Sequence, residues 1–391
     1  PALPAAAALL AQAYYHLTPA APSVDAQMLD ERVALRPAVT ENGYRAYGLL
    51  APRGDDPARY GRCLADAQQR LFVRRQSRTL AATAPDDDTT EVMACRRGAP
   101  LLPLPTLPSE IRITPSTVAT TLAVIADARP DDELLRRDDI VWTAGPRRLG
   151  TTPESPLPPF DVLARVTRWR IADAARLWHT GARDQAIATW RQVLERTTAC
   201  AGDTLIEAMI SVNLQTQTLL AIQYALVAAT DAPTAEEARA LQLALASLEQ
   251  MPERAAESML GEWQLHHSVI ATMGSVPRSP FSFDGQDHLQ NMFASFGQVF
   301  YDQQDTLNAF ARNDRWLEHA FVAAARAQPL PTAMETIDTP SSFLLLPFSR
   351  NPVGRLLAAI SAPMYGDYGT RVADLRNLAA ATRLTVAARA D

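Results

Sequence analysis

The residues best placed to do chemistry lie in the segment GEWQLHHS, which holds Glu262, His266 and His267. Glu262 and His266 are four apart and share a helix face, a spacing that lets a carboxylate and an imidazole share a proton or a metal ion. A hydrolase built here would use that pair as its acid–base machinery. A metal at His266 needs further ligands, and Asp284, Asp287 and His288 in FDGQDH could supply them from the following loop. Glu–His pairs at this spacing are also ordinary helix-surface contacts. Glu318-His319 and the acids Asp302 and Asp305 carry less, because adjacent residues on a helix diverge and paired acids usually lie on a solvated face.

A second group is polar rather than catalytic. Asn213, Gln217 and Tyr224 recur at four and seven residues within a stretch, Ala208 to Thr230, that has no charge. Leu205, Met209, Val212, Leu219 and Leu226 form one apolar stripe there, and Ile206, Ile210, Leu220 and Val227 a second beside it. Two adjacent stripes predict a helix buried on more than one side. The amides and hydroxyls of Asn213, Gln215, Thr216, Gln217, Thr218 and Gln223 are costly in hydrocarbon, which argues against a bilayer span. They predict hydrogen bonds to neighbouring helices, or a polar ligand pocket at Asn213, Gln217 and Tyr224.

Around this helix the chain reads as two regions. Of 29 prolines, 19 lie in residues 1–159, so a proline-rich, mixed or irregular N-terminal domain is expected there and an all-α domain over 160–391. Residues 17–56 read as irregular, with a helix following Asp56. In the second region Phe160 to Thr180 is a helix with Val162, Val166, Trp169, Ala172 and Leu177 inward. Gly181, Ala186, Trp190 and Leu194 then resemble one tetratricopeptide-type helical hairpin. No second copy follows at that period, so the expectation is an antiparallel bundle with TPR-like helix pairs. Thr234 and Glu237 form a capping box, and Pro252 opens the next helix. Leu289, Phe293, Phe296, Phe300, Leu307 and Phe310 then make an aromatic stripe on one long helix, either core or the wall of an apolar-ligand carrier.

Composition removes several classes. The 391 residues carry a net charge of −6, the wrong sign for nucleic-acid binding. All 37 basic residues are arginine, so there is no Schiff-base or P-loop lysine, and no cofactor is expected. Three cysteines, with no C-x-x-C, leave a Cys63–Cys95 disulfide open in an oxidising compartment and make Cys200 a packed thiol.

Near the C-terminus Asn351-Pro352, Gly354, Tyr365, Arg371, Asp374 and Leu375 resemble the final segment of uncharacterised Gram-negative helical proteins that are exported or membrane-anchored. The resemblance implies a periplasmic location, free or anchored at the inner membrane, with the cytoplasm as the alternative. It implies no activity. A first residue of Pro1 fits a removed N-terminal segment, through which any membrane contact would run. The combined expectation is a non-enzymatic envelope scaffold that binds a protein or peptide. The alternatives are a hydrolase at Glu262, His266 and His267 and an apolar-ligand carrier.

Overall fold

The computed structural model describes residues 20–36, 118–143, 160–202, 204–275, 301–331 and 367–390, with shorter pieces within 11–18 and 350–358. Of the described residues 84% are helical and none lies in a strand. In chain order the helices are α1 (Val24–Ala34), α2 (Val118–Asp127), α3 (Asp132–Thr143), α4 (Phe160–His179) and α5 (Arg183–Cys200). There follow α6 (Leu205–Ala228), α7 (Ala235–Leu245), a 3-10 turn (Ala246–Gln250), α8 (Met251–Ser275), α9 (Gln303–Ala325) and α10 (Tyr368–Ala390). The proline-rich region is therefore partly helical. α1 falls inside a stretch that reads as irregular, α2 and α3 inside one with no clear pattern, and all three pack on the helices that follow residue 160.

The α4–α5 hairpin forms for a local reason. Gly181 takes a left-handed conformation, φ 89°. The N–H groups of Gly181 and Ala182 then return to the carbonyls of Trp178 and Leu177, closing α4 in a Schellman turn. Ala186 lets the helices approach, and Trp178 and Trp190 fill the gap with ring centroids 5.9 Å apart. Arg183 lies over the Trp178 ring and donates to the carbonyls of Asp231 and Ala232, which joins this hairpin to the α6–α7 turn.

α6 runs through the main core and touches α4, α5, α8 and α10. Its buried half carries Leu205, Ala208, Val212, Leu219, Ile222 and Leu226. The second stripe expected to be buried is not: Ile206 is 46% and Val227 67% exposed, and Ile210 and Leu220 are half-buried. Small residues on the inner face, Ala208, Ser211 and Ala225, widen it by letting neighbours close in.

The capping box at α7 has both bonds, with Thr234 Oγ1 accepting from the Glu237 N–H and the Glu237 carboxylate accepting from the Thr234 N–H. α9 corrects another expectation. Asp302 is its N-cap, in an extended conformation, and accepts from the Asp305 N–H at 2.9 Å. Tyr301 and Asp302 are not helical, so the helix that carries Leu307 and Phe310 begins at Gln303, and Asp302 is a cap rather than a solvated acid. At its other end α9 closes in a Schellman turn on Ala327, where φ is 55°.

Left-handed backbone costs an L-residue about 1–2 kcal/mol, and glycine meets no such cost but loses more chain entropy on folding. The difference makes Ala327→Gly stabilising by about 0.5–1 kcal/mol. A lowered urea midpoint for this variant would contradict the turn geometry.

A buried acid–histidine bridge as the candidate functional site

Of the residues in GEWQLHHS, Glu262 and His266 lie side by side, and their contacts extend beyond that segment. Glu262, Trp263 and His266 face inward from α8, which makes its most extensive pairing with α9. The imidazole of His266 is 7% exposed and lies against the Phe310 ring, centroids 4.5 Å apart. Its Nδ1 is 3.0 Å from Asp314 Oδ2 across the helix pair, and its Nε2 is 3.8 Å from Glu262 Oε1. His267 points outward and meets the edge of Trp263. It is no part of the cluster.

Asp314 is the residue that sequence spacing missed. It lies 48 positions from His266. A local sign existed: Asn313-Asp314 is a polar pair on the inner face of a helix with an apolar stripe, and both residues are buried. Asn313 donates to the Ala358 carbonyl. Asp314 Oδ1 is buried without a hydrogen-bond partner among the described residues.

The electrostatics follow from burial. Desolvation alone would push the His266 imidazolium down. The Asp314 carboxylate, by charge and hydrogen bond, and Glu262 by charge outweigh it and hold His266 above its ordinary value. Burial raises Asp314 despite the histidine. A general base needs one ring nitrogen open to a substrate proton. Here both ring nitrogens face carboxylates inside a helix pair, so the geometry is that of an acid–histidine–acid bridge.

Above it, α1 supplies a polar layer. Trp263 Nε1 donates to Asp30 at 2.9 Å, and Arg32 donates to Glu318 at 2.6 Å. Glu318 also accepts from Arg315, which contacts His319 in turn. A separate cluster ties α3 to α4 and α5, where Arg170 bridges Asp138 and Asp139 and Arg196 shares Asp139. Burial pushes Asp138 up to about 6 in spite of Arg170.

The other predicted residues divide. Asn213 is exposed and Gln217 half-buried. They bond each other, at 2.5 Å, on the outer side of α6, and half-buried Tyr224 shares that side. The interior polar groups are instead Gln215, whose Nε2 donates to Thr198 Oγ1 at 2.9 Å, and Thr218. Asp284, Asp287, His288, Cys63, Cys95 and the aromatic run from Phe293 to Phe300 lie outside the described residues. Among the described residues no three His, Cys, Asp or Glu side chains form a metal-binding group. Cys200 is buried beside α3 and α4.

No protein-family model, no curated protein and no solved structure matches the chain.

Removing one partner of a buried ion pair strands the other, at about 3–5 kcal/mol. Asp314→Leu is therefore expected to destabilise by that amount in urea unfolding, while His266→Leu/Asp314→Leu recovers most of it. An additive double mutant would show that the two groups do not couple.

The pH dependence has a definite sign. A histidine raised on folding contributes stability that is complete below its unfolded value, about 6.5, and is lost as pH rises through the folded value. His179, which burial lowers, acts only below that point. Wild-type stability should thus fall as pH climbs from about 6.5, and the double variant should be flatter over the same window. Equal slopes for the two proteins would exclude a charged His266.

Proposed function

We propose that this chain is a helical scaffold that binds a protein or peptide in the cell envelope. The observation that carries the reading is an open cleft of about 250 Å³ between the 3-10 turn, the start of α8 and α10. Its floor is the outer edge of the core residues Leu248, Met251, Val372, Leu375 and Ala379, and Glu249, Arg376, Asn377 and Arg383 supply polar groups to the lining. Clefts that swallow a whole small ligand run to about 300–1,000 Å³. This one suits the anchor side chains of a larger partner, as a scaffold would need. The envelope location rests on the resemblance of the C-terminal segment. The hydrolase alternative loses support from the enclosure of His266.

Arg383 bridges to Glu249 at 2.7 Å and donates to the Leu245 carbonyl, so the cleft wall is held before a partner arrives. A pre-formed wall lowers the ordering cost of binding.

A photo-crosslinking residue placed at Ala380, exposed on the cleft, should give a discrete adduct in cells of the native host. The same residue at Glu195, on exposed α5 surface away from the cleft, should give none. Identical adduct patterns at the two positions would sink the cleft as the binding site.

A further inference from the structure

α6 differs from the other long helices in what it shows to solvent. The outer faces of α4, α5, α8, α9 and α10 carry exposed charge, at Arg165, Arg191, Glu257, Arg312 and Asp374 among others. The outer face of α6 carries none. Its single charged residue, Glu207, is buried in the first turn, and no charge follows as far as Ala228. A solvated helix face is ordinarily polar and charged, so a neutral face of this length marks an interaction surface.

The residues on that face are regularly spaced. Ile206, Ile210, Asn213, Gln217, Leu220 and Tyr224 recur at alternating steps of four and three, and Val227 continues the series. This is the seven-residue repeat of a helix–helix seam, and it runs over most of the 24 residues of α6. Each of these side chains is exposed or half-buried. The helices that pack on α6 use its other half, which holds Val212, Leu219 and Ile222.

The seam is self-complementary. An antiparallel copy centred on Gln215 sets Ile206 against the partner's Tyr224, Ile210 against the partner's Leu220 and Asn213 against the partner's Gln217. Large apolar and aromatic side chains meet at both ends. The two amides, which bond each other at 2.5 Å within one chain, meet in the middle. The helix dipoles then run in opposite directions, which is favourable. In seams of this kind flanking charges choose the partner and a buried amide fixes the register. α6 has no flanking charges, and its two amides match one another, so the surface specifies a second copy of itself.

We propose that the outer face of α6 is the interface of an antiparallel, twofold dimer of this chain. The axis passes level with Gln215, and the same patch is used by both copies. α6 takes no part in lining the cleft at α10, so the two surfaces can be tested apart.

Sedimentation velocity of the full chain should show a monomer giving way to a dimer as concentration rises. Asn213→Glu places an unpaired charge in the seam and should weaken the dimer about 100-fold, as should Gln217→Arg. Asn213→Glu/Gln217→Arg sets the two charges opposite each other across the axis and should recover most of the association. Register is read by oxidative crosslinking against the parent chain, whose own three cysteines set the background. Ile206 and Tyr224 lie about 27 Å apart along one helix, beyond the reach of a disulfide within a chain. Ile206→Cys/Tyr224→Cys should therefore give a covalent dimer, and Ile206→Cys alone should not. A wild-type chain that stays monomeric, or a dimer that Asn213→Glu leaves intact, overturns the proposal. A double charge variant as weak as the single ones, no covalent dimer from the cysteine pair, or one from Ile206→Cys alone overturns the antiparallel register. If Asn213→Glu lowers stability at a concentration where the wild type is monomeric, the seam is already covered within its own chain and the proposal fails.

Discussion

Every helix leaves carbonyls unpaired at its C-terminus, and a bundle of packed helices brings those ends close to other buried surfaces. In this chain arginine answers that constraint repeatedly. α10 sends Arg376 to the Ala324 carbonyl at the end of α9, Arg383 to Leu245 at the end of α7, and Arg389 to Ala229 at the end of α6. Arg183 does the same beyond α6. Each guanidinium brings a positive charge to the negative end of a helix dipole and several donors in one plane. The last helix thus closes the bundle by satisfying three others at once. Without α10 those carbonyls would each lose a charged donor, and Val372, Leu375 and Val386 would leave the main core.

The same arrangement explains why the cleft at the start of α8 exists. Arg383 and Arg376 are committed to carbonyls on either side, so α10 is held by its edges. Gly369 brings it close to α9, where a Cβ would come within 2.8 Å of Ala320 Cβ. Between these fixed points Ala379 and Ala380 face the 3-10 turn with small side chains, which leaves the space lined by Leu248 and Met251. The cleft is a product of where the arginines anchor the helix.

How much of this was legible depends on how local the cause is. α4, α5 and α7 could be read because a glycine turn, a capping box and a dense apolar period all act within a few residues. α1 to α3 could not, because short helices with few buried side chains have no period long enough to detect. The Glu262–His266 pair was visible at its spacing of four. Asp314 was not, since only tertiary packing selects one acid among many. On α6 the error ran the other way. Apolar residues ring the helix, and composition does not say that Ile206 and Val227 face outward while Gln215 and Thr218 face in.

The buried polar contacts share a purpose that apolar stripes cannot serve. A stripe of leucine and alanine packs almost as well after slipping by a turn, about 5.4 Å, as it does in register. A buried hydrogen bond does not survive that slip, and each orphaned group then costs its desolvation. Many of the helix pairings here carry one such contact. Trp169 Nε1 reaches the Ile125 carbonyl between α4 and α2, and Arg170 reaches Asp138 between α4 and α3. Trp190 Nε1 reaches the Ile171 carbonyl between α5 and α4, Gln215 reaches Thr198 between α6 and α5, and Gln223 reaches Thr382 between α6 and α10. His266 and Asp314 fall into this series as the contact between α8 and α9. α8 and α9 are long and follow one another across an intervening segment of the chain, so their register has the most ways to be wrong. On that view the histidine that looked most like chemistry in the sequence is there to fix which turn of α9 meets which turn of α8.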